Sequence, residues 1–308
     1  MTDVLSVDPS PRWTRRAVLR RVGIAAGVLV AGTSAFAFAE GDYGPDADRS
    51  LYAQTLGDTG PTVAFLPGLG ATTRYWNSRS AELQSRARLL LIDLLGFGRS
   101  PKPWTTYSVE RHVVALHEII APAAAVHGPV VLVGHSVGAR LAVAYAAHYP
   151  REIRQLVLVS LPYYGDEERT RGFFARRGAQ GWITTHTLPL ALSCLFTRRV
   201  LGPLLPRIIT NVPADVAEDL TQMTWRSSTS TTSEVIFRYD VAADLQRING
   251  QIPLLCLHGD RDDTAPLSTV RALAASHRGC ELRVLPAGDH HLVLRHPAWV
   301  REQIASVL

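Results

Sequence analysis

The pentapeptide Gly134-His135-Ser136-Val137-Gly138 sets a hydroxyl between two glycines. It follows the apolar run Val130-Val-Leu-Val133 and precedes a helical pattern, so Ser136 stands at a sharp strand-to-helix turn, the context of a nucleophile elbow. Glycines suit the flanking positions because side chains there would collide with neighbouring backbone. A serine hydroxyl is a weak nucleophile near neutral pH. It needs a base within hydrogen-bond reach, and that base needs a partner to fix its tautomer. Two later clusters offer such groups: His258-Gly-Asp-Arg-Asp-Asp-Thr-Ala-Pro266 and Gly288-Asp-His-His-Leu-Val-Leu-Arg-His-Pro297. The plainer alternative for the pentapeptide is a turn with a capping serine. Choosing between the two depends on the surrounding elements.

Short apolar runs recur at residues 63–66, 89–92, 130–133, 156–159, 254–257 and 282–285. Runs of this length and β-branched content read as strands of a mainly parallel sheet covered on both faces. Helical patterns lie between them, over residues 109–120 ending before Pro122 and over residues 140–149 ending at Pro150. The alternation predicts an α/β fold, a mainly parallel central sheet with helices on both faces, in residues 40–308. After the strand ending near Ser160, about ninety residues pass before the next, too many for a structureless loop. A helical cap is therefore expected over approximately residues 161–250. Within it, residues 188–196 and 200–209 are apolar, whereas Ser227-Ser-Thr-Ser-Thr-Thr-Ser233 reads as a polar, flexible connector.

On these motifs the chain from about Leu51 to Leu308 resembles the α/β-hydrolase family. Pro67-Gly68-Leu69-Gly70 stands where the family commonly has His-Gly-x-x, and Asp93-Leu-Leu-Gly-Phe-Gly-Arg-Ser100 matches its next loop. The resemblance implies that Asp262, fourth from Gly259, is the catalytic acid, and that His290, seven residues before Pro297, is the base. It also implies that the backbone N–H groups of Leu69 and Val137 form an oxyanion hole. Ser136, Asp262 and His290 then occur in the chain order of this fold, each after a strand end. Departures are Pro67 for histidine, and Ala139 and Asp289 where glycine is usual. Asp260, Asp263 and Asp166 compete with Asp262, and His291 adjoins His290. His135 reads as a packed loop residue, while Trp76 and Trp104 either line an acyl pocket or belong to the core.

The implied activity is that of a serine hydrolase cleaving a carboxylic ester or related acyl bond of a small hydrophobic substrate through an acyl-enzyme. Carbon–carbon hydrolases, perhydrolases and acyltransferases of the family use similar triads, and a slow or non-catalytic ligand-binding protein on the same scaffold is a further alternative. Dehalogenases and epoxide hydrolases carry aspartate at the nucleophile position, so Ser136 argues against them. No cofactor or metal is expected. Gly68-x-Gly70 with Asp93 imitates a dinucleotide fingerprint, but Thr73 replaces the third glycine. The pair His290-His291 lacks any further motif to complete a metal shell.

The chain has 308 residues, 46% of them hydrophobic, with 32 Lys+Arg against 27 Asp+Glu, an ordinary globular composition. Of its net charge of +5, residues 1–39 supply +3 through five arginines and two aspartates. The remaining surplus is too small to suggest a nucleic-acid surface. Residues 1–39 read as an export signal: Arg15-Arg16 precede an uncharged run over residues 22–39, with small residues at Ala35, Ala37 and Ala39. The adjacent arginines resemble a twin-arginine signal. A retained membrane anchor is the alternative, since 18 residues span roughly 27 Å. The expected location is periplasmic or extracellular, or anchored and facing outside. Cys194, Cys256 and Cys280 form no CxxC, so no disulfide framework or zinc ribbon is indicated.

Overall fold

The six apolar runs form strands, and a seventh precedes them in the computed structural model, which describes residues 50–210 and 212–308. The export or anchor segment lies outside the described residues. The strands are β1 Ala53–Leu56, β2 Thr62–Leu66, β3 Arg88–Ile92, β4 Val130–His135, β5 Ile153–Val159, β6 Leu254–Gly259 and β7 Cys280–Leu285. They lie in the order β1-β3-β2-β4-β5-β6-β7; β1 pairs antiparallel with β3, and every other pair is parallel. The sequence reading misses β1 because Ala53-Gln-Thr-Leu56 is a half-exposed edge strand without a continuous apolar run.

Successive residues of a strand face opposite sides, so each central strand feeds two cores. Ala64, Leu66, Leu132 and Leu158 face one, with the helices Val109–His127 and Val137–His148. Val63, Phe65, Val133 and Val159 face the other, with the helix Pro297–Ala305. The register aligns the carboxyl ends: Leu66 pairs with Gly134, His135 with Val159, Val159 with Leu257 and Gly259 with Leu285. The loops after β2, β4, β6 and β7 therefore emerge along one rim, where open α/β sheets hold ligands.

Two local expectations are corrected. The helix expected to stop before Pro122 runs to His127 with the proline inside. Pro122 and Glu118, the residue whose carbonyl loses its partner, are both exposed, so water can take the missing bond. The serine/threonine stretch expected to be a flexible connector instead forms the helix Trp225–Thr231 and the start of a π-helical turn, Thr232–Arg238, mostly buried. Its hydroxyls find partners within the fold: Thr224 and Ser227 form a capping box, Ser230 accepts the Tyr107 N–H at 2.8 Å, and Thr232 donates to the Ser228 carbonyl at 2.8 Å. A polar side chain satisfied in this way can be buried at little cost.

Between β5 and β6 the chain forms helices, beginning with Glu167–Ala175, Gly178–Thr185 and Thr187–Phe196 and ending with Val241–Arg247. Arg140, buried on the helix Val137–His148, anchors both ends of this insert. It donates from Nε to the Val235 carbonyl at 2.6 Å, from Nη1 to Pro162 at 2.7 Å and from Nη2 to Tyr239 at 2.5 Å. Burial lowers its pKa to about 10, which still leaves it charged near neutrality.

Candidate active site

Ser136 follows β4 at φ 54° and ψ −118°, a costly conformation for a residue with a Cβ. Its N–H is held by the Val159 carbonyl at 3.0 Å. The neighbouring glycines are required by space. A Cβ at Gly134 would stand 2.6 Å from Ala139 Cα, and one at Gly138 would stand 2.5 Å from the carbonyl oxygens of Leu66 and Pro67. Gly68 also lies close: a Cβ there would meet His135 Nδ1 at 3.0 Å and Ser136 Cβ at 3.3 Å. The elbow and the loop after β2 thus approach closely where Gly138 and Gly68 carry no side chain.

The structure brings Ser136, His290 and Asp262 together. Ser136 Oγ lies 3.0 Å from His290 Nε2, and His290 Nδ1 lies 2.9 Å from Asp262 Oδ2 and 3.1 Å from Oδ1. The carboxylate requires a proton on Nδ1, which leaves Nε2 free to accept from the serine hydroxyl. Asp262 Oδ1 also accepts the N–H groups of Thr264 at 2.9 Å and Ala265 at 2.7 Å. Burial opposes the charge on this carboxyl, but the bonds from His290 and the Ala265 N–H outweigh it and hold its pKa below the ordinary 3.8. The acid loop can approach the histidine loop because Gly259 faces the Gly288 carbonyl with no side chain between them.

The competing residues have other partners. Asp260 Oδ1 accepts the Ala287 N–H at 2.7 Å, supporting the turn after β7, where Ala287 has φ 60°. Asp263 is exposed and pairs with Arg177 at 3.2 Å. Asp166 caps the helix Glu167–Ala175, accepting the Arg169 N–H at 2.8 Å. Asp289, where glycine is usual, accepts the His291 N–H at 3.0 Å and pairs with Arg295. Asp93, the acid of the dinucleotide imitation, accepts the N–H groups of Thr73 at 2.5 Å and Arg99 at 2.8 Å, so its oxygens brace two loops. Trp76 is core, with its ring 5.0 Å from that of Phe65. Trp104 is half-exposed and packs edge-on to Trp225, so neither tryptophan lines the cavity at Ser136.

A second layer behind His290 was only partly legible. His135 is buried, stacked on Tyr75 with centroids 4.7 Å apart, and its Nε2 lies 2.9 Å from the His290 carbonyl. A carbonyl only accepts, so that nitrogen carries the proton. Tyr75 Oη reaches His135 Nε2 at 3.2 Å and His291 Nδ1 at 3.4 Å. Burial pushes the pKa of His135 well below its ordinary value and that of His291 down to about 4, so both rings are neutral at physiological pH. The adjacency of His135 to Ser136 was the available signal for this layer. Tyr75 gave none, because it reaches the site only through folding.

A cavity of 430 Å³ opens above Ser136. Leu69 and Val137 line it beside Ser136 and His290, and its far wall is apolar, with Phe174, Leu190, Ile209, Val216, Leu220 and Ile236 from the insert. Val137 begins its helix, so its N–H has no acceptor within that helix. Gly70 at φ 74° turns the chain after Leu69, closed by the Ala71 N–H on the Gly68 carbonyl at 3.2 Å.

Comparison with known proteins agrees with this architecture. An uncharacterised protein of Mycobacterium tuberculosis is 23% identical over 253 residues, covering 76% of this chain and 71% of its own. The Arabidopsis thaliana protein named "Probable lysophospholipase BODYGUARD 1" is 25% identical over 270 residues, covering 78% of this chain and 57% of its own. The structure of a thermophilic esterase from Thermogutta terrifontis superposes with a TM-score of 0.64 at 21% identity, over 83% of this chain and 92% of its own, a likeness of fold. The family profile described as alpha/beta hydrolase family matches residues 63–303, and the chain belongs to that family.

Proposed function

We propose that the protein is a serine hydrolase that cleaves a carboxylic ester or related acyl bond through an acyl-enzyme. The observation that carries this reading is the continuous hydrogen-bonded path from Ser136 Oγ through His290 to Asp262. Ser136 attacks the substrate carbonyl while His290 Nε2 takes its proton, and Asp262 stabilises the imidazolium that forms. The N–H groups of Leu69 and Val137 stabilise the oxyanion, His290 returns the proton to the leaving group, and water then repeats the sequence to release the acid. The apolar wall and the cavity volume favour a hydrophobic acyl group. Relatives whose names include a lysophospholipase and an esterase support acyl-bond cleavage. On this reading the insert is a cap over the acyl pocket, and residues 1–39 direct export or anchoring.

A fluorophosphonate probe followed by mass-spectrometric mapping should label Ser136 in the wild type and nothing at that position in His290→Ala. Turnover of p-nitrophenyl esters should fall by roughly 10⁴-fold or more in Ser136→Ala. Unchanged turnover in Ser136→Ala would defeat the mechanism, and tight ligand binding without turnover in the wild type would favour a binding protein.

A further inference from the structure

Residues 169–214 contain seven arginines and no lysine, aspartate or glutamate. Among the described residues, Arg169 meets Asp166, Arg171 meets Glu167 and Arg177 meets Asp263, while Arg198 donates from Nε to the Thr221 carbonyl at 3.0 Å. Arg198, Arg199 and Arg207 lie within Thr187–Ile208, a 22-residue helical stretch of the insert that by length and composition could cross a membrane. Its exposed positions include a regular apolar series, beside Thr187, Ser193, Arg199 and Arg207. Leu188, Phe196, Val200, Leu204 and Ile208 are each 44–66% exposed, and Leu192, between them, is half-buried. They recur at every fourth residue. In a straight α-helix that spacing drifts about 40° per step, and the wider π turn over Thr197–Leu201 counters the drift.

An exposed apolar series of this length marks an interaction surface. Burial of Ala191, Cys194, Leu195 and Leu205 against the protein, together with the three arginines, argues that the stretch lies along a membrane rather than through it. Its other side faces the site, since Leu190 and the adjoining Ile209 line the cavity above Ser136. The exposed apolar side chains, flanked in the second half of the element by exposed Arg199 and Arg207, complement the acyl boundary and phosphates of an anionic lipid surface.

We propose that Thr187–Ile208 docks the protein on an anionic bilayer, with Phe196, Val200 and Leu204 entering the acyl boundary, and passes a membrane-borne acyl substrate to Ser136. The delivery part rests on the hydrolase reading above; the docking part does not.

The test uses the full chain with vesicles of phosphatidylglycerol and phosphatidylcholine, against vesicles of phosphatidylcholine alone, read by hydrogen exchange of peptides within residues 187–208. Anionic vesicles should slow exchange there by about fivefold, an effect that weakens in high salt and is absent in Phe196→Ser/Val200→Ser. That variant should hydrolyse a soluble p-nitrophenyl ester like the wild type but a vesicle-borne ester about tenfold more slowly. Unchanged exchange in these peptides overturns the docking, whatever holds other residues to the vesicles. Protection that grows with protein concentration without lipid also overturns it, by identifying the face as a contact between two copies. A wild type that docks but hydrolyses neither ester refutes the hydrolase reading and leaves the docking standing.

Discussion

Gly138→Ala is the sharpest test of how the elbow and the oxyanion loop share space. The new methyl would stand 2.5 Å from the carbonyl oxygens of both Leu66 and Pro67, against about 3.4 Å for ordinary contact. Relief requires about 0.9 Å of relative movement, and the obstacles are backbone atoms, which cannot rotate aside as a flexible side chain would. The segment that must give way leads directly into Gly68-Leu69, which carries one proposed oxyanion donor. Misplacement of about 1 Å costs roughly 100-fold in rate, and loss of one such donor about 3 kcal/mol, which is the same factor. Overpacking should in addition cost about 1–3 kcal/mol of stability.

The assay is kcat on a short p-nitrophenyl ester, with thermal melts alongside, for the wild type, Gly138→Ala and the control Gly172→Ala. Gly172 lies in the helix Glu167–Ala175 with nothing within 4 Å of its would-be Cβ. Its substitution should leave kcat unchanged and stabilise by roughly 0.5–1 kcal/mol. A Gly138→Ala variant that keeps kcat within about threefold of wild type at an unchanged melting temperature would show that the elbow and the loop after β2 are not so tightly coupled.

Asp262→Asn should lower kcat by roughly 10³–10⁴-fold, because an amide cannot stabilise the imidazolium, whereas Asp260→Asn should lower it by less than about tenfold. Equal losses in the two variants would show that the acid has been misassigned. A third expectation concerns pH. His112 is fully buried, and burial lowers its pKa to about 4, so the unfolded chain binds this proton first as pH falls from 6.5. Stability should therefore drop between about pH 6.5 and pH 4, by about 3 kcal/mol from this residue, and should not vary with pH through it outside that window. Urea unfolding of His112→Gln across the window should show a flatter profile; an equally steep one would sink the assignment.

The sequence alone determined the parts of this protein that depend on local pattern. Buried parallel strands need continuous apolar runs, so six of the seven strands were legible, and with them the rim on which Ser136, Asp262 and His290 lie. The elbow glycines were legible because a tight turn is a local steric problem. Tertiary structure decided what depends on partners distant in the chain. The family spacing favours Asp262 over Asp260 and Asp263, but what separates the three physically is where each carboxylate finds its donors: His290 for the first, Ala287 and Arg177 for the others. Ser230 and Thr231 look like linker residues until Tyr107 and His112 supply their hydrogen bonds from more than a hundred residues away. Tyr75 joins the histidine layer in the same way, through a contact with His291 across 216 positions. Hydrophobic burial is written in composition because it is non-directional, whereas satisfaction of a polar group depends on direction and distance, which exist only after the chain has folded.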